Sequence, residues 1–276
     1  MTLTRAMHVH AGHRPAWRHA ALVLVLPAAA FSASRAQAQE GSDWQVMLGG
    51  GALYAPDYEG SDDYDVLPFP FVSVEYRDLA YIRGPEIGFN LLRLRPGDDL
   101  RINFGPLARY RRDRPEDRND DLAGLGDVDF AVEVGGALSV EYRQAWLRLS
   151  LAQDVAGGHE GMVGEGEAGL RFDLADRLNA SVSARASWAD SDYMDAYFSV
   201  SPTQATASGL PVYRAGSGIK DAGAGLSLSY QLGRHWMISA TGGYTRLLGD
   251  AADAPLVRQR GSRDQWQGGL FLAYRF

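Results

Sequence analysis

Apolar and polar residues alternate with a period of two along most of this chain. In the longest example, Val128 to Tyr142, mainly Val, Phe, Leu and Tyr hold one parity, and Asp, Glu, Ala and Ser hold the other. Successive side chains of a strand point to opposite faces, so the pattern predicts a β-strand with one apolar face. Its length of 15 residues is unusual for a sandwich strand but ordinary for a tilted strand that crosses a bilayer.

The same alternation recurs at Leu178–Trp188, Ala222–Leu232 and Trp236–Tyr244, with Trp or Tyr near strand ends, where an interfacial aromatic girdle belongs. It returns in Gln265–Phe276, so the chain ends on an aromatic residue inside an alternating strand. Such an end resembles the assembly signal of Gram-negative outer-membrane barrels. The edge strand of a soluble sandwich is the alternative for this segment taken alone.

Connections between the predicted strands alternate in length, which indicates a transmembrane antiparallel β-barrel with short periplasmic turns and long outer loops. The short turns lie near Arg77-Asp78, Arg95–Asp98, Arg143, Leu174–Asp176 and Gly233-Arg234. The long loops lie near Ala55–Asp65, Arg112–Asp127, Val155–Met162, Asp190–Lys220 and Leu248–Arg263. Parity requires two strands within Ala80–Leu94 that reverse near Gly84-Pro85. We therefore predict an all-β barrel of about twelve strands, with ten as the alternative.

Charged residues of both signs fall on the predicted inner face of the barrel. They are Arg101, Arg109, Glu133, Glu141, Arg148, Glu165, Glu167, Arg171, Asp173 and Arg185. An inward position avoids the cost of roughly 2–4 kcal/mol that Arg or Lys has at the lipid-facing midplane. A salt-bridge network that fills a narrow lumen is one interpretation, and a selective aqueous pore is the other.

Residues 1–38 have the pattern of a cleaved signal peptide. Three arginines precede the short apolar run Ala20–Phe31, and Ala36-Gln37-Ala38 offers small residues for cleavage. The predicted barrel domain is then residues 39–276, without any later apolar run long enough for a spanning helix. Because the leader holds four arginines and no acid, the net charge changes from −7 to −11 on cleavage, which argues against nucleic-acid partners. The absence of cysteine excludes disulfides and thiolate chemistry.

Two features of the mature chain raise the question of a chemical site. The first is a group of five carboxylates, Asp57, Glu59, Asp62, Asp63 and Asp65. Such hard oxygen ligands suit Ca²⁺ or Mg²⁺ that bridges lipopolysaccharide phosphates. Their spacing is not that of an EF-hand, however, and a solvated acidic loop is the simpler interpretation. His159 and His235 are the only mature histidines, and no G-x-S-x-G motif accompanies them. His235 is expected on the periplasmic rim. We predict a non-enzyme without catalytic, metal or cofactor residues.

Two outer loops carry further expectations. The stretch Arg111–Asp121 mixes acids and arginines and is typical of a flexible surface loop. The loop Asp190–Lys220 is unusually long, and Ser201-Pro202 at one end and Gly209 at the other predict a short helix between them. That helix either folds into the barrel mouth, which we favour slightly, or packs over the outer rim.

Several segments, in order along the mature chain, resemble the MipA/OmpV outer-membrane family. They are Tyr58–Tyr64, Pro68–Val72, Glu75–Asp78, Gly124–Val128, Gln153–His159, Trp188–Met194, Tyr197–Val200 and Ser208–Tyr213. The resemblance implies a Gram-negative outer-membrane barrel in contact with lipid and lipopolysaccharide. It also implies one of two roles. One is a scaffold linked to the murein machinery, with a murein hydrolase and a murein synthase as partners. The other is a porin-like channel for small solutes.

Overall fold

The computed structural model describes residues 43–276 of the chain. The predicted leader, residues 1–38, and its cleavage before Gln39 lie outside the described residues. The first strand begins at Trp44, a few residues after the predicted start of the barrel domain.

The described chain consists mainly of antiparallel strands. The first six are β1 (Trp44–Pro56), β2 (Tyr64–Tyr76), β3 (Ala80–Arg83), β4 (Glu86–Phe89), β5 (Leu92–Leu94) and β6 (Leu100–Arg111). The others are β7 (Ala131–Tyr142), β8 (Ala145–Asp154), β9 (Met162–Ala175), β10 (Leu178–Ala189), β11 (Gly218–Leu232), β12 (Trp236–Leu247) and β13 (Asp264–Arg275). Each strand pairs with its neighbours in sequence except β4 and β5, which do not pair with each other, and β1 pairs with β13.

The barrel closes because β4 and β5 both pair with β6. These two short segments therefore act as one interrupted strand, and the wall is a closed barrel of twelve strands. The predicted number of twelve is confirmed and the alternative of ten is wrong. The predicted reversal near Gly84-Pro85 is confirmed by the β3–β4 hairpin, in which Gly84 has a φ of +56° that suits glycine.

Short turns lie at one end of the barrel and long loops at the other, as predicted. Met47 pairs with Arg275, so the first and last strands meet with their free ends on the short-turn side. We call that side periplasmic. At the β2–β3 turn, Arg77 and Asp78 have φ values of +49° and +55°, and Arg143 in the β7–β8 turn has +52°. Positive φ at consecutive turn residues is the geometry of the hairpin turns that match strand twist.

The predicted faces of the strands are confirmed. Leu270 and Leu226 of the predicted lipid face are exposed, whereas Ser227 and Glu133 of the opposite parity are buried. The strand predicted from Val128 differs at its start, since β7 begins only at Ala131. Val128 is instead joined to Arg114 by an isolated bridge and buried among the outer loops.

Aromatic side chains form pairs near both ends of the strands. Tyr54 stacks on Tyr64 with ring centroids 4.9 Å apart at the outer end, and Trp44 lies 4.5 Å from Tyr76 at the periplasmic end. Rings with a polar tip are enriched at both membrane interfaces. The predicted aromatic girdle is therefore present.

Four short helices in the outer loops cover the barrel mouth: α1 (Ser191–Phe198), α2 (Pro202–Ser208), α3 (Gly249–Asp253) and α4 (Pro255–Arg260). They bury two apolar clusters, one centred on Tyr193, Phe198 and Leu247 and the other on Leu122 and Leu256. None of the helices in residues 43–276 is long and apolar enough to cross a membrane. The loops of this barrel thus have a core of their own.

Candidate functional site

Several of the charged residues predicted on the inner face form ion pairs with one another along neighbouring strands of the barrel wall. Arg109 lies between two carboxylates, with its Nη2 2.6 Å from Glu133 Oε2 and its Nη1 bonded to Glu165. Nearer the periplasm, Arg101 and Arg171 approach Glu141 at 3.8 and 3.5 Å. Their inward position agrees with the prediction, and the pairing agrees with the interpretation of a network that fills the lumen.

Glu133 is the centre of this network. Its side chain is 0% exposed and accepts hydrogen bonds from Arg109, Arg111 and His159. His159 Nε2 lies 3.1 Å from the carboxylate, while Nδ1 accepts the backbone N–H of Gly161 at 3.0 Å. The proton of the neutral ring is therefore on Nε2. One ring nitrogen therefore binds Glu133 of β7 and the other binds the backbone of the loop, so His159 has a structural role.

The loop around His159 is shaped by Asp154, whose carboxylate accepts the backbone N–H groups of Ala156, His159 and Glu160 at 2.9 to 3.0 Å. Gly157 has a φ of +85°, as expected for a glycine that permits a left-handed turn. His235 lies at the periplasmic rim, as predicted, with its ring stacked on Tyr274 at 5.3 Å. Neither described histidine therefore lies in a triad-like arrangement of contacts.

A second buried ionic group is formed by Lys220, the single lysine of the chain. Its Nζ is bonded to Glu59 and lies 2.8 Å from Asp221 Oδ2. The hydroxyl of Tyr193 donates to Glu59 at 2.9 Å. Sequence reasoning missed this group, because Glu59 was counted with the acidic loop. The isolated lysine in an arginine-rich chain was the one available signal.

The carboxylates of the acidic loop do not form one site in this structure. Glu59 turns inward to Lys220, and Asn119 Nδ2 donates to Asp57 and Asp63 at 3.0 and 3.1 Å. Oxygens of Asp62, Asp63 and Asp121 lie within 4.8 Å of one another on the surface. The five-residue cation set considered from sequence is therefore divided, and the expectation of no metal residue stays a prediction.

The helix predicted between Ser201 and Gly209 is confirmed as α2. Ser201 accepts the backbone N–H of Gln204 in a capping box, and Gly209 has a φ of +77°. No residue of α2 is buried; it lies over the rim, where Gln204 Nε2 donates to the carbonyl of Leu125. The slight preference for inward folding of this helix is therefore wrong.

The part of the long loop that enters the mouth is α1. Its side chains Tyr193, Met194, Tyr197 and Phe198 are buried. Burial raises the pKa of Tyr197 to about 12 and also raises the pKa of Tyr193 well above its usual value. Both hydroxyls thus stay neutral, and that of Tyr193 donates a hydrogen bond to Glu59. Sequence patterning missed α1 because a helix of only eight residues is too short to show a clear helical period.

We expect Tyr193→Ala to raise ion conductance of the refolded barrel in planar bilayers, because it removes a buried ring at the centre of the mouth. Deletion of Thr203–Ser208 in α2 is the matched control and should leave conductance unchanged, since α2 lies outside the mouth. An increase caused by the deletion alone would contradict this assignment.

The stretch Arg111–Asp121, expected to be a flexible surface loop, is structured. Arg111 is the last residue of β6 and binds Glu133. Arg114 is only 6% exposed. Two short 3₁₀ turns, Glu116–Arg118 and Asp120–Leu122, follow, and Leu122 is fully buried. Arginines that sequence reasoning assigned to solvent therefore line the interior.

Below α1 the lumen contains a cavity of about 320 Å³. One wall is charged and includes Arg109, Arg148 and Glu165, and the other includes Phe69 and Phe71 of β2. The volume lies at the small end of the range of roughly 300–1,000 Å³ that is usual for ligand pockets. The interior thus holds a cavity with one charged and one apolar wall beneath α1.

A closed barrel with an apolar belt, aromatic girdles and short turns at one end defines a transmembrane β-barrel of the outer membrane. The family model described as MltA-interacting protein MipA matches residues 48–276. The chain belongs to the MipA family, and it is an outer-membrane protein. The resemblance inferred from its motifs is confirmed.

The chain is also similar to individual outer-membrane proteins and to solved barrels. The putative outer membrane protein YiaT of Escherichia coli K12 is 28% identical over 220 residues, covering 77% of this chain and 85% of that protein. OmpV of Vibrio cholerae is 39% identical over 90 residues, 33% of each chain. The NanC porin has a TM-score of 0.43 at 9% identity, covering 84% of this chain and all of that one. The names of these relatives and of the family specify no enzymatic activity.

Proposed function

We propose that this protein is a non-enzymatic scaffold that organises the envelope by binding protein partners at its periplasmic face. The observation that carries the proposal is the network of buried ion pairs around Glu133 in the lumen beneath α1. Paired charges inside the lumen and a mouth covered by helices suit a membrane-anchored scaffold better than an ion- or solute-conducting channel. We further propose that residues 1–38 are removed as a leader and that lipid and lipopolysaccharide surround the barrel.

The family description supports a murein-related partner. It names a protein that interacts with MltA, and for this chain we propose contact with a murein hydrolase and a murein synthase. Such enzymes act on the periplasmic side, where this barrel offers only short turns. These turns carry ion pairs, including Arg77 with Asp43 at 2.6 Å and Arg143 with Asp99 at 3.0 Å. The periplasmic rim is therefore the proposed partner surface.

The β2–β3 turn allows a test that keeps the fold. Arg77 and Asp78 both have positive φ, a conformation in which Asn-Gly is the favoured pair. We expect the double change Arg77→Asn and Asp78→Gly to preserve folding in lipid while it weakens capture of purified murein hydrolase and synthase. Exposed charges at an interface act mainly on the rate of association and on its salt dependence. Added salt should therefore weaken capture by the wild-type protein as well.

The matched control removes a pair of charges at the opposite end of the barrel. Asp253→Asn and Arg258→Gln remove an exposed outer pair whose atoms lie 3.9 Å apart. Capture should be unchanged in this variant. Equal capture by the wild type and the turn variant would contradict the assigned surface, and no capture by the wild type would contradict the scaffold.

A small-solute channel is the second candidate, and the lumen cavity of about 320 Å³ with its charged wall is the observation that favours it. Planar-bilayer recording distinguishes the two roles. A steady ohmic current from the wild-type protein, together with no capture of murein enzymes, would support the channel. Absence of current together with capture would support the scaffold.

A further inference from the structure

Two neighbouring buried polar groups in the outer loops have no hydrogen-bond partner among the described residues. One is the Nε of Arg114, in the loop that follows β6, and the other is the hydroxyl of Tyr197 in α1. The two residues are 6% and 9% exposed, so each is at least nine-tenths buried. The guanidinium carbon of Arg114 lies 6.0 Å from the centre of the Tyr197 ring. Two unsatisfied donors are therefore close together beneath the outer loops.

The charge of Arg114 also lacks a direct counter-ion. Its side chain forms no ion pair with any carboxylate of the described residues. Its Nη2 donates to the carbonyl of Gly126 at 3.4 Å, while Asp127 accepts the backbone N–H of Glu116 at 2.7 Å. Burial lowers the pKa of Arg114, and the charge of Arg118 acts in the same direction. A buried cation without a counter-ion is costly, and an anion bound beside it would compensate its charge.

A purely structural role explains only part of this arrangement. The contacts of the Arg114 guanidinium group with the carbonyl of Gly126 and the ring of Tyr197 hold the loop against α1. An uncharged side chain could pack there without the cost of a buried charge, and a phenylalanine ring would give the same contact surface as Tyr197. The charge and the hydroxyl are therefore the two features that packing does not require.

Both side chains line the lumen cavity described above. Its volume of about 320 Å³ is larger than a single small ion needs and is within the range of sites for small organic molecules. The rings of Tyr193 and Tyr197, with centroids 4.6 Å apart, add apolar surface beside the two donors. Ligand pockets combine such apolar walls with a few polar groups that fix the orientation of the ligand. This end of the cavity therefore has the composition of a ligand pocket.

The free donors and the free charge indicate the head group of a ligand. A carboxylate has two oxygens and one negative charge. The Nε of Arg114 and the hydroxyl of Tyr197 can each donate to one oxygen, and the guanidinium group supplies the single compensating charge. The neighbouring Arg118 is already paired with Asp113 at 3.4 Å, so the second charge of a phosphate would compete with that carboxylate. The arrangement therefore favours a carboxylate.

We propose that the outer end of the lumen cavity binds a small organic carboxylate. Arg114 and Tyr197 donate hydrogen bonds to its oxygens, and its apolar body lies in the cavity against the tyrosine rings of α1. This site requires neither a partner at the periplasmic turns nor current through the barrel. Its failure would therefore leave the proposed scaffold role unchanged, and the capture assay tests that role separately.

The binding test uses 4-fluorobenzoate and the wild-type protein in phosphatidylcholine nanodiscs, with ¹⁹F NMR as the readout and empty nanodiscs as the blank. The probe is present during refolding, so entry into the covered lumen does not limit binding. We expect a dissociation constant of about 1 mM or below. The neutral 4-fluorobenzamide and the cationic 4-fluorobenzamidine have nearly the same shape and should bind at least about tenfold more weakly, because neither compensates the charge of Arg114.

Two variants remove the proposed contacts one at a time. Arg114→Gln and Tyr197→Phe should each weaken binding of 4-fluorobenzoate about tenfold, because each removes a charge-assisted hydrogen bond. Arg258→Gln and Tyr213→Phe are the matched controls, since neither residue lines the cavity. Arg258 is on the outer surface, and the Tyr213 hydroxyl donates to the backbone carbonyl of Asp250 at 3.0 Å. Both controls should bind the probe like the wild type.

Unfolding in urea separates a ligand-binding role of Tyr197 from a structural one. Without the probe, Tyr197→Phe should unfold at the same urea concentration as the wild type, because the lost hydroxyl has no partner among the described residues. With the probe, the midpoint of the wild type should rise and that of Tyr197→Phe should rise less, since a ligand stabilises only the state that binds it. This variant decides the test if Arg114→Gln does not fold.

Absence of binding by the wild type, or equal binding of the amide or the amidine, would overturn the proposed site. Displacement of the probe by an equal concentration of inorganic phosphate would overturn its assignment to a carboxylate. Equal weakening in the two control variants, or a loss of stability in Tyr197→Phe without the probe, would show that these side chains act in folding and would overturn the proposal as well.

Discussion

Replacing Glu133 by alanine is expected to destabilise the folded barrel by about 3–5 kcal/mol. The carboxylate is fully buried and is shared by Arg109, Arg111 and His159. Its removal leaves the buried guanidinium groups of Arg109 and Arg111 with Glu165 alone as a shared carboxylate partner. Breaking a buried ion pair costs far more than the intact pair contributes, because the remaining charge stays desolvated.

The measurement is equilibrium unfolding in urea of protein refolded into lipid vesicles, with tryptophan fluorescence as the signal. Glu141→Gln is the matched control on the same strand. Glu141 is half-buried and lies 3.5 Å or more from its arginines, so we expect a loss below about 1 kcal/mol. Similar losses in both variants would show that the Glu133 cluster is not the centre of the lumen network.

Replacing Val134 by arginine is expected to destabilise the barrel by roughly 2–4 kcal/mol. Val134 points outward from β7 and is exposed to lipid, one residue from the buried Glu133. An arginine there must be desolvated in hydrocarbon or displace lipid head groups toward the midplane. Arginine is tolerated on the neighbouring parity because carboxylates meet it inside the lumen.

The same vesicle assay measures the effect, and Ala137→Ser serves as the control. Ala137 lies on the inner face of the same strand, beside Leu107 and Ala152 and opposite Ser150, where a hydroxyl adds little volume. We expect the free energy of unfolding to change by no more than about 0.5 kcal/mol, as is usual for a substitution that creates no cavity, clash or unpaired charge. Equal sensitivity on the two faces would contradict the strand register.

Much of the barrel could be predicted because its signals are local. A strand in lipid needs an apolar side chain at every second position, and this requirement shows in segments such as Gln265–Phe276 without reference to any partner. Turn length is equally local, which is why the reversal at Gly84-Pro85 and the resulting twelve strands were predictable. The cap residues of α2 likewise act on backbone groups a few positions away, so the ends of this helix could be predicted.

The partners of the inner charges were decided only by the closed barrel. Glu59 and Lys220 are 161 positions apart, and nothing near either residue indicates that they meet. The burial of Arg114 could not be predicted from its local sequence either. A segment of mixed charge is typical of a solvated loop, and only the packing of neighbouring loops buries it. Which helix fills the mouth was also decided by packing, because α1 buries four side chains and α2 buries none. The sequence by itself determined the strands, their faces and their number, since each strand meets the membrane alone. The tertiary structure decided which charges are paired and what covers the mouth, because those properties belong to residues that only barrel closure brings together.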